Sequence, residues 1–237
     1  MRILFAFLVV FVASELFAED IVLHEKKYNV IARNGKKVGK YSLKVLHKKE
    51  KQEYEIEEMH FIHYRGKRIN IKSTVIYQSN APFSPKKANT SIQLNEKLCM
   101  KGHAIFSDKF VDMQMTMLLN ERTGKVIKPK TYSRKRERPN GILLFQSALA
   151  VIGPKVIQKE GRKEIVFVEF PDDIDNLINM KRNFLLVRGK TNEKGEYEIG
   201  VYRPSRRRWR RNRSLLTVRY KKNNSIESIF YQVTRTS

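Results

Sequence analysis

The densest chemistry in this sequence lies near its carboxyl end, in Arg203-Pro204-Ser205-Arg206-Arg207-Arg208-Trp209-Arg210-Arg211-Asn212-Arg213. Seven arginines and the single tryptophan of the chain fall within eleven residues. Guanidinium forks grip phosphate or carboxylate bidentately, and an indole inserts at an interface or stacks on a base or sugar. Arg203, Arg206, Arg207, Arg208, Trp209, Arg210, Arg211 and Arg213 are therefore the candidate anion-binding set, on a loop between two expected strands. A solvated charge run is the plain alternative. Binding through such a loop weakens as salt rises, by counterion release and screening.

The second set is apolar. Val111, Met113, Met115, Met117 and Leu119 recur at every second position, so they share one face of an expected strand. Three successive methionines make a soft, adaptable surface. With Leu144, Phe145 and Leu149, they are the candidate lining for a lipid-like ligand; ordinary core packing is the alternative.

Other reactive types are poorly placed. His60 and His63 lie three apart, which on a strand points them to opposite faces. A catalytic Cys99 needs a base, and His103 sits four residues on, about 13 Å away along a strand. Asp172, Asp173 and Asp175 offer hard oxygen ligands but match no calcium loop, and they equally suit a helix start. No zinc spacing, phosphate loop or nucleophile elbow occurs. The expectation is a non-enzymatic protein with no metal and no cofactor, and an unrecognised hydrolase is the last alternative.

The elements that position these groups read as strands. Ile21–Ala32 is a first strand, with a hairpin turn expected at Asn34-Gly35. Alternation then runs through 41–45, 53–59 and 69–77, and resumes near 90–94, 98–106 and 110–119. Lys128–Arg138 reads as a basic, proline-containing connection. Strands follow at 164–170, 184–187, 197–201, 215–221 and 226–233, the first apolar at nearly every position.

Among them stands Pro139–Pro154, PNGILLFQSALAVIGP, with only Gln146 and Ser147 polar between Ile142 and Ile152. Asn140 suits a helix start, and Gly153-Pro154 suits a stop. The spacing predicts a helix of about three turns over 141–152, apolar almost all round and hence covered on several sides. It is too short to cross a bilayer.

Met1–Ala18 reads as a secretory signal, with Arg2, an apolar run over 3–12 and cleavage near Ala18. Cleavage removes Arg2 and Glu15, one charge of each sign, and keeps the formal net charge of +24. That excess favours anionic lipid headgroups or an acidic envelope polymer, with peripheral membrane contact. Export makes nucleic acid the least expected partner. One cysteine allows no internal disulfide, so stability rests on the core. Residues 19–237 are read as a single domain.

Three stretches carry a resemblance: Tyr28-Asn29-Val30 with Asn34-Gly35-Lys36-Lys37-Val38-Gly39; Phe145-Gln146-Ser147-Ala148-Leu149 with Gly153-Pro154; and Glu169-Phe170-Pro171-Asp172-Asp173-Ile174. In this order the chain resembles exported bacterial proteins with an incomplete antiparallel barrel, similar in architecture to periplasmic lipoprotein carriers and their outer-membrane receptors. The resemblance implies a concave apolar face able to take a lipid-like ligand, and no catalytic residues. The receptors carry a lipid on an amino-terminal cysteine, which this chain lacks after its apolar run.

The expected fold is mainly β: a curved antiparallel sheet or open barrel with one buried helix, about 141–152, on its concave face. The expected function is binding of an apolar or amphipathic ligand, with a basic surface for anionic lipid or polymer. A structural or interaction protein with a fully packed core is the alternative.

Overall fold

In a computed structural model that describes residues 20–31, 37–64, 66–119, 125–169, 179–203 and 214–231, alternating polarity becomes alternating burial. Eight strands follow one another as β1 (Ile21–Ile31), β2 (Lys37–Lys48), β3 (Glu53–Tyr64), β4 (Lys67–Gln78), β5 (Pro85–Leu94), β6 (Lys97–Phe106), β7 (Phe110–Leu119) and β8 (Val126–Glu137). Each pairs antiparallel with the next, in the order of the sequence. In β2, Tyr41, Leu43 and Val45 are buried between half-exposed or exposed neighbours; in β7, Val111, Met113, Met115, Met117 and Leu119 do the same. An antiparallel meander can keep one face wet in this way.

The rest of the chain builds a second sheet. Its elements are β9 (Leu143–Phe145), the helix α1 (Leu149–Val156), β10 (Gly161–Glu169), β11 (Asn179–Arg188), β12 (Tyr197–Tyr202), β13 (Ser214–Tyr220) and β14 (Ile226–Tyr231). The order across it is β14-β13-β12-β11-β10-β9. The fold is mainly β, a curved sheet forming a half-barrel with one helix among the described residues, as expected from the sequence. The inner faces of both sheets and the buried side of α1 form one continuous apolar core.

The apolar stretch 141–152 is buried as expected but is not one helix. Leu143, Leu144 and Phe145 form β9 and pair parallel with Val166, Phe167 and Val168 of β10. Parallel neighbours need a crossover, and α1 supplies it. The helix starts at Leu149 without a side-chain cap, contains Pro154, and ends at Ile157, whose N–H donates to Gly153 O at 3.0 Å. Asn140 therefore caps nothing helical, and Gly153-Pro154 does not stop the helix. A run apolar on every side has no period, so burial alone cannot tell a strand from a helix.

Val126–Glu137 also differs from the expected connection, being a twelve-residue strand. It lies at the edge of its sheet, exposed along nearly its whole length, so no alternation marks it. Pro129 is tolerated because an edge strand needs only one set of ladder bonds. The expected strand at 164–170 is β10, with Ile165, Val166, Phe167 and Val168 all buried. The hairpin turn at Asn34-Gly35 and the acids at 172–175 lie outside the described residues. Among the described residues no helix is long and apolar enough to cross a membrane.

Candidate functional site

The six residues expected to line an apolar site all lie in the core. Met113, Met115, Met117, Leu144, Phe145 and Leu149 belong to one buried cluster. Phe145 meets Phe106 and Tyr77 edge-on, with ring centroids 5.8 and 6.3 Å apart. The methionines and β9 are thus brought together, as neighbours in a packed interior. Of the arginine set, Arg203 is exposed, its guanidinium 5.9 Å from the Phe184 ring centroid. Arg206, Arg207, Arg208, Trp209, Arg210, Arg211 and Arg213 lie outside the described residues.

The histidine and thiol groups stay apart. His60 faces inward, 3.5 Å from the buried Glu58 carboxylate and 4.7 Å from the Tyr41 ring, while His63 is exposed. Cys99 is buried, its Sγ donating to Lys97 O at 3.6 Å.

The opposite side of α1 does line a cleft, of about 570 Å³. Leu23 and His24 of β1 form one wall, and Asn224, Ser225 and Ile226 of the last hairpin form another. Ala150, Val151, Pro154 and Lys155 make the floor, closed by Gln158 and Arg188. The cleft lies on the side of α1 away from Leu144, Phe145 and Leu149, the residues expected from the sequence to line a ligand site. The missed signal was Pro154-Lys155, a polar-ended continuation of the apolar run.

The lining is apolar at Leu23, Val151, Pro154 and Ile226 and cationic at Lys155 and Arg188. Leu23, at the start of β1, is 46% exposed. The Arg188 guanidinium lies 3.7 Å from the Tyr197 ring centroid, and Lys155 Nζ lies 5.2 Å from that of Tyr54. Arg188 also donates to the carbonyls of Ile157, at 3.4 Å, and Gln158, just past the end of α1. Its Nε is buried with no hydrogen-bond partner. Among the described residues neither cation is in an ion pair, and aromatic faces hold a cation without neutralising it.

Two tyrosines brace Arg188 and the start of α1. Tyr197 donates to Asn224 Oδ1 at 2.6 Å and stacks on Tyr220 at 5.0 Å; Tyr220 donates to Leu149 O at 2.9 Å. Burial raises the pKa of both phenols, so they remain neutral donors at ordinary pH. Tyr28, pushed up to about 12 by burial, lies 3.0 Å from His24 Nε2. Burial first, and then Lys26, lowers the His24 pKa and favours its neutral form. The pair joins β1 residues four apart by one hydrogen bond, with His24 on the cleft wall.

A basic rim lies on the far edge. Lys130, Tyr132, Arg134 and Arg136 face Met117, Met115, Met113 and Val111 across the β7–β8 ladder, so the core-side face runs out into a cationic strand. Burial first, and then Arg134, lowers the Arg136 pKa.

These features describe a β-rich half-barrel with an amphipathic cleft between its first strand, its helix and its last hairpin. No family model matches the chain, and no curated protein sequence matches it. Among solved structures it is similar to a beta-barrel-like protein of the domain of unknown function DUF1849 from Brucella abortus. The TM-score is 0.46 and the identity 10%, with 90% of each chain covered.

Proposed function

We propose that this is a non-enzymatic, exported protein that binds an amphipathic ligand with an anionic head in the cleft between β1, α1 and the β13–β14 hairpin. The observation that carries this reading is the pairing of an apolar floor with Lys155 and Arg188, two cations outside any described ion pair. A charge-assisted hydrogen bond in a partly dry site contributes about 1.5–3 kcal/mol, enough to select an acid over an alcohol. The volume falls in the range of about 300–1,000 Å³ usual for ligand pockets. The resemblance of the sequence pattern to half-barrel carriers of the cell envelope, and the signal-like segment before Glu19, are in keeping with the same reading.

Titration with dansyl-labelled undecanoic acid tests it, with the matching fatty alcohol competing. The acid binds at least tenfold more tightly than the alcohol, and Lys155→Gln removes most of that preference. Equal binding of acid and alcohol, or none of either, defeats the proposal. The burial of Met113, Met115 and Met117 favours the second reading, an interaction protein with a packed core, and that reading predicts no binding at all.

The arginine run and the basic rim extend the proposal to anionic surfaces. Vesicles with 30% phosphatidylglycerol sediment the protein and neutral vesicles do not, an effect that fades as salt approaches roughly 0.5 M. Replacing Arg206, Arg207, Arg208, Arg210 and Arg211 by Ser removes the preference and leaves the fold intact. Equal sedimentation with both vesicle types withdraws the surface role.

A further inference from the structure

The solvent-facing side of β4–β7 carries a polar trough of about 450 Å³ that shares no residue with the cleft. Register builds it. Lys72, Ser91, Lys101 and Thr116 lie side by side across the four strands. One step along, Thr74, Asn89, His103 and Gln114 form a second row. Both rows run on to β8 as Thr131 and Ser133.

Three properties set this face apart. First, it is dense in hydroxyl, amide and imidazole groups, which both donate and accept hydrogen bonds. Second, no side-chain hydrogen bond or ion pair among the described residues engages Lys72, Asn89, Lys101, His103 or Gln114. A sheet face that only needed solubility is commonly laced with cross-strand ion pairs, such as Lys48–Glu55 and Lys86–Glu53 on β2, β3 and β5. Third, no carboxylate lines the trough. The nearest by register are Glu57, beside Thr74, and Asp112, which is 3.9 Å from Lys135.

Hydroxyls and amides spaced by the strand separation of about 4.8 Å suit a ligand that presents hydroxyls of both donor and acceptor character. The two lysines ask in addition for negative charge on it. An acyl chain satisfies neither demand, and a bare polyphosphate uses only the lysines. We propose that this trough binds an anionic oligosaccharide, its carboxylates against Lys72 and Lys101 and its hydroxyls on Asn89, His103 and Gln114. The basic β8 edge beyond Thr131 and Ser133 extends the attraction to a longer chain.

Calorimetric titration of the purified protein in 150 mM salt tests this with three probes: oligogalacturonate, a dextran oligomer of equal length, and polyphosphate of equal charge. Oligogalacturonate binds at least tenfold more tightly than either of the others. Lys72→Gln with Lys101→Gln weakens it tenfold or more, and Asn89→Ala with Gln114→Ala by about fivefold. These side chains are at the surface and unengaged, so the variants keep the parent melting temperature. Lys49→Gln with Lys51→Gln, the same charge removed from an exposed turn, changes binding less than twofold. No uptake of oligogalacturonate, equal binding of polyphosphate, or equal loss in the Lys49/Lys51 variant overturns the proposal. Fatty-acid binding at the cleft is unaffected by either result.

Discussion

Tyr77→Phe is expected to lower the unfolding free energy by about 3 kcal/mol, although it removes a single oxygen atom. Tyr77 is fully buried on the inner face of β4, and its hydroxyl donates to Leu143 O at 3.1 Å while accepting from Phe145 N–H at 2.8 Å. β9 is the last strand of its sheet. Along one side it bonds β10, with Val166 N–H donating to Ile142 O at 2.9 Å and Gln146 N–H to Val168 O at 3.2 Å. The backbone groups at Leu143 O and Phe145 N turn the other way and meet the phenol. Without it, a buried donor and a buried acceptor lose their partner, each at a cost of about 1–3 kcal/mol. The ring stays, so its edge-on contact with Phe145 survives.

For a chain of this size the melting temperature then falls by about 10 °C. Hydrogen exchange gives the specific signature, because the Phe145 amide loses protection relative to its neighbours. A loss below about 1 kcal/mol, with that amide still protected, shows that the phenol is not what closes this edge. The deeper point is that one side chain of the first sheet completes the backbone bonding of the second. Burial holds the Tyr77 phenol protonated, its pKa well above the usual value, so it keeps the proton it donates.

Gly39→Ala is expected to cost a similar amount for the opposite reason, too much matter rather than too little bonding. A Cβ at Gly39 lies 2.1 Å from Phe61 O and 3.1 Å from its carbonyl carbon. Both are backbone atoms of β3, so no rotamer relieves the overlap, and β2 and β3 must separate. Gly39 faces Ile62 on one side and Val30 on the other, so the disturbance reaches three strands. Overpacking of this kind costs about 1–3 kcal/mol and occasionally more; the upper end applies because the clash is with main chain. Gly189→Ala is the control, since its Cβ meets only Glu198 O at 3.8 Å. Urea unfolding compares the two: Gly189→Ala stays within about 0.5 kcal/mol of the parent. Equal midpoints for the two variants remove the argument for a fixed close approach.

Alternation of polar and apolar residues in 41–45, 69–77 and 110–119 determined which faces of these strands turn inward, because a strand's side-chain period of two leaves no choice once one face is buried. Composition determined the net charge of +24 and the lack of an internal disulfide. Residues 142–152 were marked as buried by their apolarity alone. Only the tertiary structure decided that Leu143, Leu144 and Phe145 are a strand, because β10 and Tyr77 supply the bonds that a helix would have made within itself. Val126–Glu137 became a strand only because β7 offered an unpaired edge; its own residues have no face to hide. Neither the cleft nor the trough could be read along the chain. Their residues come from separate elements and converge through strand pairing and the packing of α1, a proximity that local spacing does not encode.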